Sequence, residues 1–254
     1  MMIYKRFLQT LSICVLGLSL AACSTTNSTS GDSPINDPFE NANRAVFAFN
    51  EVVDDTVIEP AISGYRAITP KPARTGLRNF LRNLSSPVRF TNQALQGDVN
   101  GAGRVAVRAS INTLVGVGGL FDVAGYEGIE YEPEDFGQTL AVWGLGHGPY
   151  LVLPFFGPSS ARDYAGFFVD GIADPLNIYL SNIDEEQFIY YRAGLGYVDL
   201  RDSLNDVLKD LQANSFDYYA ATRSAYYQRR RALVQDLASI SSPAPETNGF
   251  DDIY

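Results

Sequence analysis

A long stretch without formal charge is the feature that most limits how this chain can fold. No Asp, Glu, Lys or Arg occurs between Asp135 and Arg162. The stretch is long enough to cross a bilayer, but its glycines and prolines are incompatible with one continuous helix. Irregular backbone at membrane depth persists only where protein buries it or where it lines a cavity. Two interpretations stay open, a buried loop of an ordinary soluble core and a segment that contacts lipid.

The N-terminus has the pattern of a secretory signal that ends at a cysteine. Lys5 and Arg6 precede an apolar run, and residues 20–23 read Leu-Ala-Ala-Cys. A short apolar run behind a basic start is typical of a signal peptide. The ending resembles the bacterial lipobox, which predicts a lipoprotein signal peptide over residues 1–22 and acylation of Cys23. An ordinary signal peptide with an incidental cysteine is the alternative.

The cysteine count agrees with a lipid anchor. Cys14 would leave with the signal peptide, so the mature chain would hold no thiol free for a disulfide. The expected modification is an N-acyl group and an S-diacylglycerol on Cys23, because several chains on one residue anchor firmly. No other cofactor is expected. Ser24 after the cysteine favours the outer membrane, with the protein on its periplasmic side.

The charge balance restricts the partners of the chain. Its formal charge is −10, which becomes −12 once Lys5 and Arg6 are removed. Nucleic acid is not an expected partner, because phosphate contacts need clustered Lys and Arg. Anionic membrane surfaces would not attract the chain either. Any contact with lipid should therefore use apolar surface.

The hydrophobic pattern predicts an all-α body between two polar ends. Residues 23–36 are polar and predict a flexible tether, residues 37–240 predict a single helical domain, and residues 241–254 predict a disordered tail. The first helix should begin with Asp37 as its N-cap and end near Val57, before a proline.

The second half of the chain predicts two long helices, over residues 183–211 and 215–238. Their predicted core-facing residues are Leu200, Leu204, Val207, Leu208 and Leu211 on the first, and Tyr218, Tyr219, Tyr226 and Tyr227 on the second. The consecutive arginines 229–231 are interpreted as a solvated face. The best strand candidate is Tyr150–Leu153, although its alternation is weak.

Few residues point to catalysis. His147 is the single histidine, and its flanking glycines explain it as well as a catalytic role would. The sequence contains no nucleophile elbow, no His-Glu-x-x-His and no phosphate-binding loop with a lysine. The chain is therefore expected to have no catalytic or metal site. An envelope hydrolase is the weakest of three functional hypotheses.

Several short motifs, in order and at regular spacing, carry a resemblance over residues 36–180. They include Asn36-Asp37-Pro38-Phe39-Glu40, Leu95-Gln96-Gly97, Gly118-Gly119-Leu120-Phe121-Asp122-Val123-Ala124, Asp135-Phe136-Gly137-Gln138-Thr139-Leu140 and Gly148-Pro149-Tyr150-Leu151-Val152-Leu153-Pro154. Together they resemble the MlaA (VacJ) family of outer-membrane lipoproteins. One departure is Ala141-Val142-Trp143, where the family often has another glycine.

The resemblance implies a fold and a function. It implies a ring-like arrangement of helices with an amphipathic central channel, embedded in the inner leaflet of the outer membrane. Members of the family let mislocalised phospholipid leave the outer leaflet and so maintain lipid asymmetry. Their partners are phospholipid, a trimeric outer-membrane porin and a soluble periplasmic carrier of the MlaC type. A structural scaffold lipoprotein without transport activity is the alternative.

Candidate channel residues follow from this expectation. Polar candidates are Asn43, Arg44, Asn50, Asp122 and Asp135, and loop candidates are Gly118, Gly119, Phe121, Phe136 and Gly137. The glycines would permit tight or left-handed backbone at a channel loop, and the loop is expected to control lipid passage. For each polar candidate the alternative is a helix cap or a structural hydrogen bond.

Overall fold

The computed structural model describes residues 36–241, and these residues are mostly helical. Cys23, the signal peptide, nearly all of the predicted tether and the predicted tail beyond residue 241 lie outside the described residues. The helices are α1 Glu40–Val53, α2 Glu59–Ile68, α3 Lys71–Leu84, α4 Ser86–Gln96, α5 Val99–Leu114, α6 Val123–Tyr126, α7 Phe136–Val142, α8 Ala161–Ala173, α9 Pro175–Asn182, α10 Gln187–Asn214 and α11 Tyr218–Ser241. A π-helical segment, Asp54–Ile58, joins α1 to α2.

Side-chain caps and glycine set several of the helix ends. Asp98, Ser160 and Asp174 each accept a backbone N–H bond at the start of α5, α8 and α9. Gly97 ends α4 with a left-handed φ of 83°. These residue types therefore set the helix ends in this part of the chain by local contacts.

The first helix differs from its prediction at both ends. Asp37 does not cap it, because Phe39 occupies the N-cap position without a side-chain bond. The helical path also continues beyond Val57, through the π-helical segment and into α2 as far as Ile68. Pro60 is tolerated because it lies in the first turn of α2, where its missing N–H costs little.

A β-hairpin corrects the all-α prediction. The strand candidate is confirmed as β1, Tyr150–Leu153, which pairs antiparallel with β2, Gly157–Ser160. Tyr150 lies opposite Ser160 in this register. The partner strand β2 was not predicted, because it is made of Gly, Pro and Ser, which have low strand propensity. Neighbouring helices supply the packing that makes this short pair stable.

Polar side chains fill much of the interior, whereas many large apolar side chains lie on the outside. Those less than 9% exposed include Arg89, Asn92, Gln93, Arg108, Asn112, Gln138, Arg162, Asp163, Arg201, Asp202 and Asn205. Exposed apolar residues include Trp143, Phe155, Phe156, Phe167, Phe188 and Tyr190, each more than half accessible. This distribution is the reverse of an ordinary soluble core.

Buried ion pairs join α2 and α3 to α10. The carboxylate of Asp202, only 3% exposed, accepts from Arg66 at 2.5 Å and from Arg74 at 2.6 Å. Arg78 is bonded to Asp199 at 2.9 Å on the same helix. Charges in a low-dielectric interior need such partners, so these arginines fix the position of α10.

Two glycines bring α7 and α8 into close contact. A Cβ on Gly166 of α8 would lie 2.2 Å from the backbone nitrogen of Gly137 of α7. Only residues without a Cβ permit this approach, so the tight packing expected at Gly137 is present. Its backbone is helical rather than left-handed.

Within residues 36–241, none of the helices combines the length and hydropathy that a bilayer-spanning helix requires.

Candidate functional site

A cavity of about 640 Å³ lies between α1, the π-helical segment, the hairpin, α10 and α11. Its lining comprises Phe47, Asn50, Glu51, Val53, Asp54, Asp55 and Ile58 from the first wall, Phe155, Phe156, Gly157 and Pro158 from the hairpin, Tyr197, Leu200, Arg201, Leu204, Val207, Leu208, Leu211 and Gln212 from α10, and Tyr218, Thr222, Ala225, Tyr226 and Arg229 from α11. The cavity is thus mainly apolar, with a small number of polar groups, as ligand sites usually are.

The leucine stripe of α10 forms the apolar wall. Leu200, Leu204, Val207, Leu208 and Leu211 recur every three or four residues and were predicted to face the core. They line the cavity instead, and Leu200 and Val207 are each more than half exposed. Periodicity identifies the face of a helix, but it does not show whether that face meets protein or a void.

Two polar residues of the cavity wall form hydrogen bonds or ion pairs that hold the fold together. Asn50 donates to the carbonyl oxygen of Leu153 at 3.0 Å and accepts from the backbone nitrogen of Phe155 at 2.9 Å, so it holds the hairpin turn. Asp54 accepts two bonds from Arg201, at 2.8 and 2.6 Å. The hydrogen bond to Asp54 raises the pKa of the Arg201 guanidinium.

Two other polar residues of the wall, Thr222 and Arg229, form no side-chain hydrogen bond or ion pair of this kind with the described residues. The hydroxyl of Thr222 is buried and bonds to no group of the described residues. Arg229 lies two turns further along α11 and has no carboxylate oxygen within 4.0 Å among the described residues. Both residues belong to the cavity lining. Arg229 is exposed and can donate hydrogen bonds to a ligand directly, whereas the hydroxyl of Thr222 is buried and must rotate toward the cavity to do so.

A buried ionic cluster lies beside the cavity, on the neighbouring face of α11. Arg230 donates to Asp135 at 2.6 and 3.0 Å and to Asp163 at 3.0 Å. Asp163 also accepts from Arg162 at 2.8 Å and from the hydroxyl of Tyr226. Burial alone would raise the pKa of Asp163, but the bond from Arg162 and the charge of Arg230 hold it below its ordinary value.

Asp37 forms a second attachment between the start of the described chain and α11. Its carboxylate accepts from Tyr219 at 2.5 Å, from Arg223 and from the amide of Asn43 at 2.8 Å. Asn43 in turn bonds the carbonyl oxygen of Tyr150 at 2.9 Å, which ties α1 to the hairpin. Asp37 therefore serves as a structural ion-pair partner rather than as the predicted N-cap.

The glycine-rich loop lies apart from the cavity lining. Gly118 and Gly119 have φ values of 69° and 97°, so the expected left-handed backbone is present. Asp122 caps α6 and accepts from Arg108 at 2.7 Å. Phe121 is 59% exposed, which leaves its ring accessible on the surface.

Two carboxyl groups near the start of the charge-free stretch have raised pKa values. Burial raises the pKa of Glu134 to about 7, and its carboxylate accepts only from the amide of Gln96, at 2.9 Å, in the described chain. Burial likewise raises the pKa of Asp170 to about 6, although Asn92 and the backbone nitrogen of Phe136 donate to it.

His147 packs edge-on against the ring of Tyr227, with centroids 5.1 Å apart. Burial lowers its pKa to about 4, so the imidazole is neutral at physiological pH. Its Nδ1 bonds to no group of the described residues. These contacts describe a packed aromatic side chain.

The structure brings together few of the candidate channel residues. Asn50 lines the cavity, whereas the other nine candidates lie outside its lining. Arg44 is paired with Glu40 and Asp217, and the ring of Phe136 meets Trp143 edge-on. A role of these residues in lipid passage stays a prediction.

Sequence analysis did not single out several cavity residues, notably Phe155, Phe156, Tyr197 and Thr222. A signal existed for one of them, since Thr222, Tyr226 and Arg229 recur at helical spacing on one face of α11. The hairpin phenylalanines Phe155 and Phe156 belong to the charge-free stretch that was considered for lipid contact, but nothing in the sequence placed them at a cavity, because chain segments distant in sequence form it.

The described residues thus form a mostly helical protein with many buried polar side chains, many exposed apolar side chains and an amphipathic cavity. The family model for the MlaA lipoprotein matches residues 35–233. The chain belongs to this family, as the sequence motifs indicated.

Individual relatives agree with this assignment. The "Intermembrane phospholipid transport system lipoprotein MlaA" of Escherichia coli is 34% identical over 86% of each chain. The protein of the same name in Haemophilus influenzae is 32% identical over 89% of this chain and 90% of its own. An uncharacterized protein of Rickettsia felis is 38% identical over 83% of this chain and 82% of its own.

A solved structure has the same fold. It is described as the "structural basis for maintenance of bacterial outer membrane lipid asymmetry" and shares 35% identity with this chain. The match has a TM-score of 0.68 and covers 78% of this chain and 98% of the other.

Proposed function

We propose that this protein removes mislocalised phospholipid from the outer leaflet of the outer membrane and passes it to a soluble periplasmic carrier. The observation that carries the proposal is the amphipathic cavity of about 640 Å³. Its apolar wall suits acyl chains, and its polar groups suit a head group that would otherwise enter hydrocarbon. Exposing an unpaired charge to hydrocarbon costs several kcal/mol or more, of the order of tens for a bare ion.

The outer surface supports embedding in the inner leaflet. Trp143, Phe155 and Phe167 are each more than half exposed, and exposed apolar patches of this kind mark contact with membrane or protein. A helical ring around the cavity, with lipid outside, would place these side chains in hydrocarbon. An acidic chain would gain such contact through shape and apolar area rather than through charge.

The family supplies the remaining parts of the proposal. Relatives bear the name of an intermembrane phospholipid transport lipoprotein, which supports a place in an envelope transport system. The proposed partners are a trimeric outer-membrane porin, which would hold the protein in the bilayer, and a carrier of the MlaC type. The proposed anchor is the acylated Cys23.

The test is the amount of phospholipid in the outer leaflet of cells with and without the gene. Loss of the gene should raise it, and the wild-type gene should restore it. Leu204→Glu would place a charge in the apolar wall and should fail to restore asymmetry at normal abundance. Its neighbour Ser203 is exposed and outside the lining, so Ser203→Glu is the matched control.

The scaffold hypothesis predicts a different outcome. If Leu204→Glu restores asymmetry as well as Ser203→Glu does, the cavity is not the route of the lipid. If loss of the gene leaves outer-leaflet phospholipid unchanged, the transport function itself is wrong.

A further inference from the structure

Three consecutive arginines on α11 have three different environments. Arg230 is buried between two carboxylates, whereas Arg229 and Arg231 are both exposed; Arg231 lies outside the cavity lining and Arg229 belongs to it. We propose that Arg229, assisted by the hydroxyl of Thr222, recognises the phosphate-bearing region of the lipid in the cavity. This inference rests on the proposed function and names the chemical group that the cavity recognises.

The charges of the cavity wall support this assignment. The wall contains two cations, Arg201 and Arg229. Arg201 is neutralised by Asp54 at 2.6 Å, whereas no carboxylate of the described residues lies within 4.0 Å of Arg229. Within the described chain, Arg229 is therefore the cavity cation whose donors remain available to a ligand.

The charges of the cavity lining differ between elements. Its acidic groups, Glu51, Asp54 and Asp55, all belong to α1 and the π-helical segment, whereas Arg229 belongs to α11. A phosphate would be repelled by the carboxylates and attracted to Arg229. The guanidinium fork also matches two phosphate oxygens at once.

Thr222 provides the second, independent observation. The residue is only 8% exposed and belongs to the cavity lining, while its hydroxyl oxygen is buried and has no partner in the described residues. Buried hydroxyls normally find a partner, and one without a partner needs an explanation. Rotation of the side chain toward the cavity would let an acceptor oxygen of the lipid, on the phosphate or on the glycerol ester beside it, provide that partner.

Because Arg229 is exposed and has no carboxylate partner in the described residues, it contributes little to the stability of the fold. An arginine that held the fold would be paired, as Arg230 is. Replacing Arg229 by glutamine should therefore leave folding unchanged, so a loss of binding can be interpreted directly.

The experiment compares two lipid probes on the full-length protein in detergent. Fluorescent phosphatidylglycerol and fluorescent diacylglycerol with the same acyl chains differ only in the phosphate head group. Wild type should prefer phosphatidylglycerol. Arg229→Gln should weaken phosphatidylglycerol binding by about tenfold or more, the effect of losing a charged hydrogen bond, and leave diacylglycerol binding unchanged.

Three variants complete the series. Arg231→Gln should bind both probes as wild type does. Arg229→Lys should retain part of the preference, because it keeps the charge and loses the fork. Thr222→Val, which conserves volume, should weaken phosphatidylglycerol binding by a smaller factor of a few-fold. Thermal unfolding of the arginine variants should match wild type, and Thr222→Val should unfold at the same or a higher temperature, because it removes a buried hydroxyl that has no partner in the described residues.

Other outcomes overturn the inference. If Arg229→Gln weakens both probes equally, or neither, then phosphate recognition by Arg229 is wrong. If inorganic phosphate alone binds in an Arg229-dependent way while lipid binding does not depend on Arg229, the site belongs to free phosphate. If wild type binds neither lipid, the proposed function fails and this inference fails with it.

Discussion

Arg229 and Arg230 are neighbours in sequence, yet they belong to regions with opposite organisation. Around Arg230, every charge is paired: Asp135 and Asp163 both bind its guanidinium, at 2.6 and 2.9 Å. Around Arg229 the wall is apolar, and its polar groups are partly unpaired. The ionic region holds three segments of the chain together, at the start of α7, in α8 and in α11, whereas the cavity leaves donors available.

The difference shows how one helix can serve stability and binding together. Successive residues on a helix point about 100° apart, so α11 presents its paired arginine to α7 and α8 and its free arginine to the cavity. Buried ion pairs specify position more than they add net stability. In a protein with an apolar exterior, such pairs are available to fix the fold where little apolar core exists.

The largest expected effect on stability comes from removing the paired arginine, Arg230. Arg230→Met would leave Asp135 and Asp163 without their shared cation, and breaking a buried pair costs about 3–5 kcal/mol. Denaturant unfolding in detergent should show this loss of free energy of unfolding. Arg231→Met, on the exposed neighbour, should change it by less than about 0.5 kcal/mol. Equal effects of the two changes would show that the cluster does not hold the fold.

The next effect tests the close helix contact beside the cluster. Gly166→Ala places a Cβ 2.2 Å from the backbone of Gly137, so α7 and α8 must separate, at a cost of about 1–3 kcal/mol. Gly171→Ala is on the same helix with open space around it and should be neutral or stabilising by up to about 1 kcal/mol. Thermal unfolding measures both, and a harmless Gly166→Ala would contradict the packing.

Glu134 is a partly buried carboxyl that has no arginine partner among the described residues, so it can be compared with the paired carboxylates Asp135 and Asp163. Burial raises the pKa of Glu134 from 4.5 to about 7, so the folded state retains a proton that the unfolded state has lost between these values. This group therefore lowers stability as pH rises through that window. Glu134→Gln should remove its share of the slope and keep the bond from Gln96. An unchanged slope between pH 5 and about 7 would contradict the raised pKa.

The smallest effect is expected at Tyr150, and a second buried tyrosine, Tyr219, provides the comparison. The hydroxyl of Tyr150 has no partner in the described residues, so Tyr150→Phe should change the free energy of unfolding by no more than about 0.5 kcal/mol, or increase it. Tyr219 donates to Asp37 at 2.5 Å, so Tyr219→Phe should cost about 1.5–3 kcal/mol. If Tyr150→Phe costs as much as Tyr219→Phe, its hydroxyl has a partner after all.

The sequence by itself determined the family, the helical class and many helix ends. Local signals were sufficient there, because Asp98, Ser160 and Gly97 act on backbone within a few residues of themselves. The short motifs identified the MlaA family because they depend on order along the chain rather than on contacts.

Only the tertiary structure decided which faces meet protein and which meet the cavity. The α10 stripe has the period of a core face, yet a void rather than protein lies against it, and the sequence pattern is the same in both cases. Whether each arginine is paired likewise depends on residues distant in sequence. Asp135 and Asp163, which bind Arg230, are 95 and 67 residues away from it along the chain. Charge pairing is set by distance in space, which one-dimensional spacing does not contain, so the sequence alone could not separate Arg229 from its neighbour.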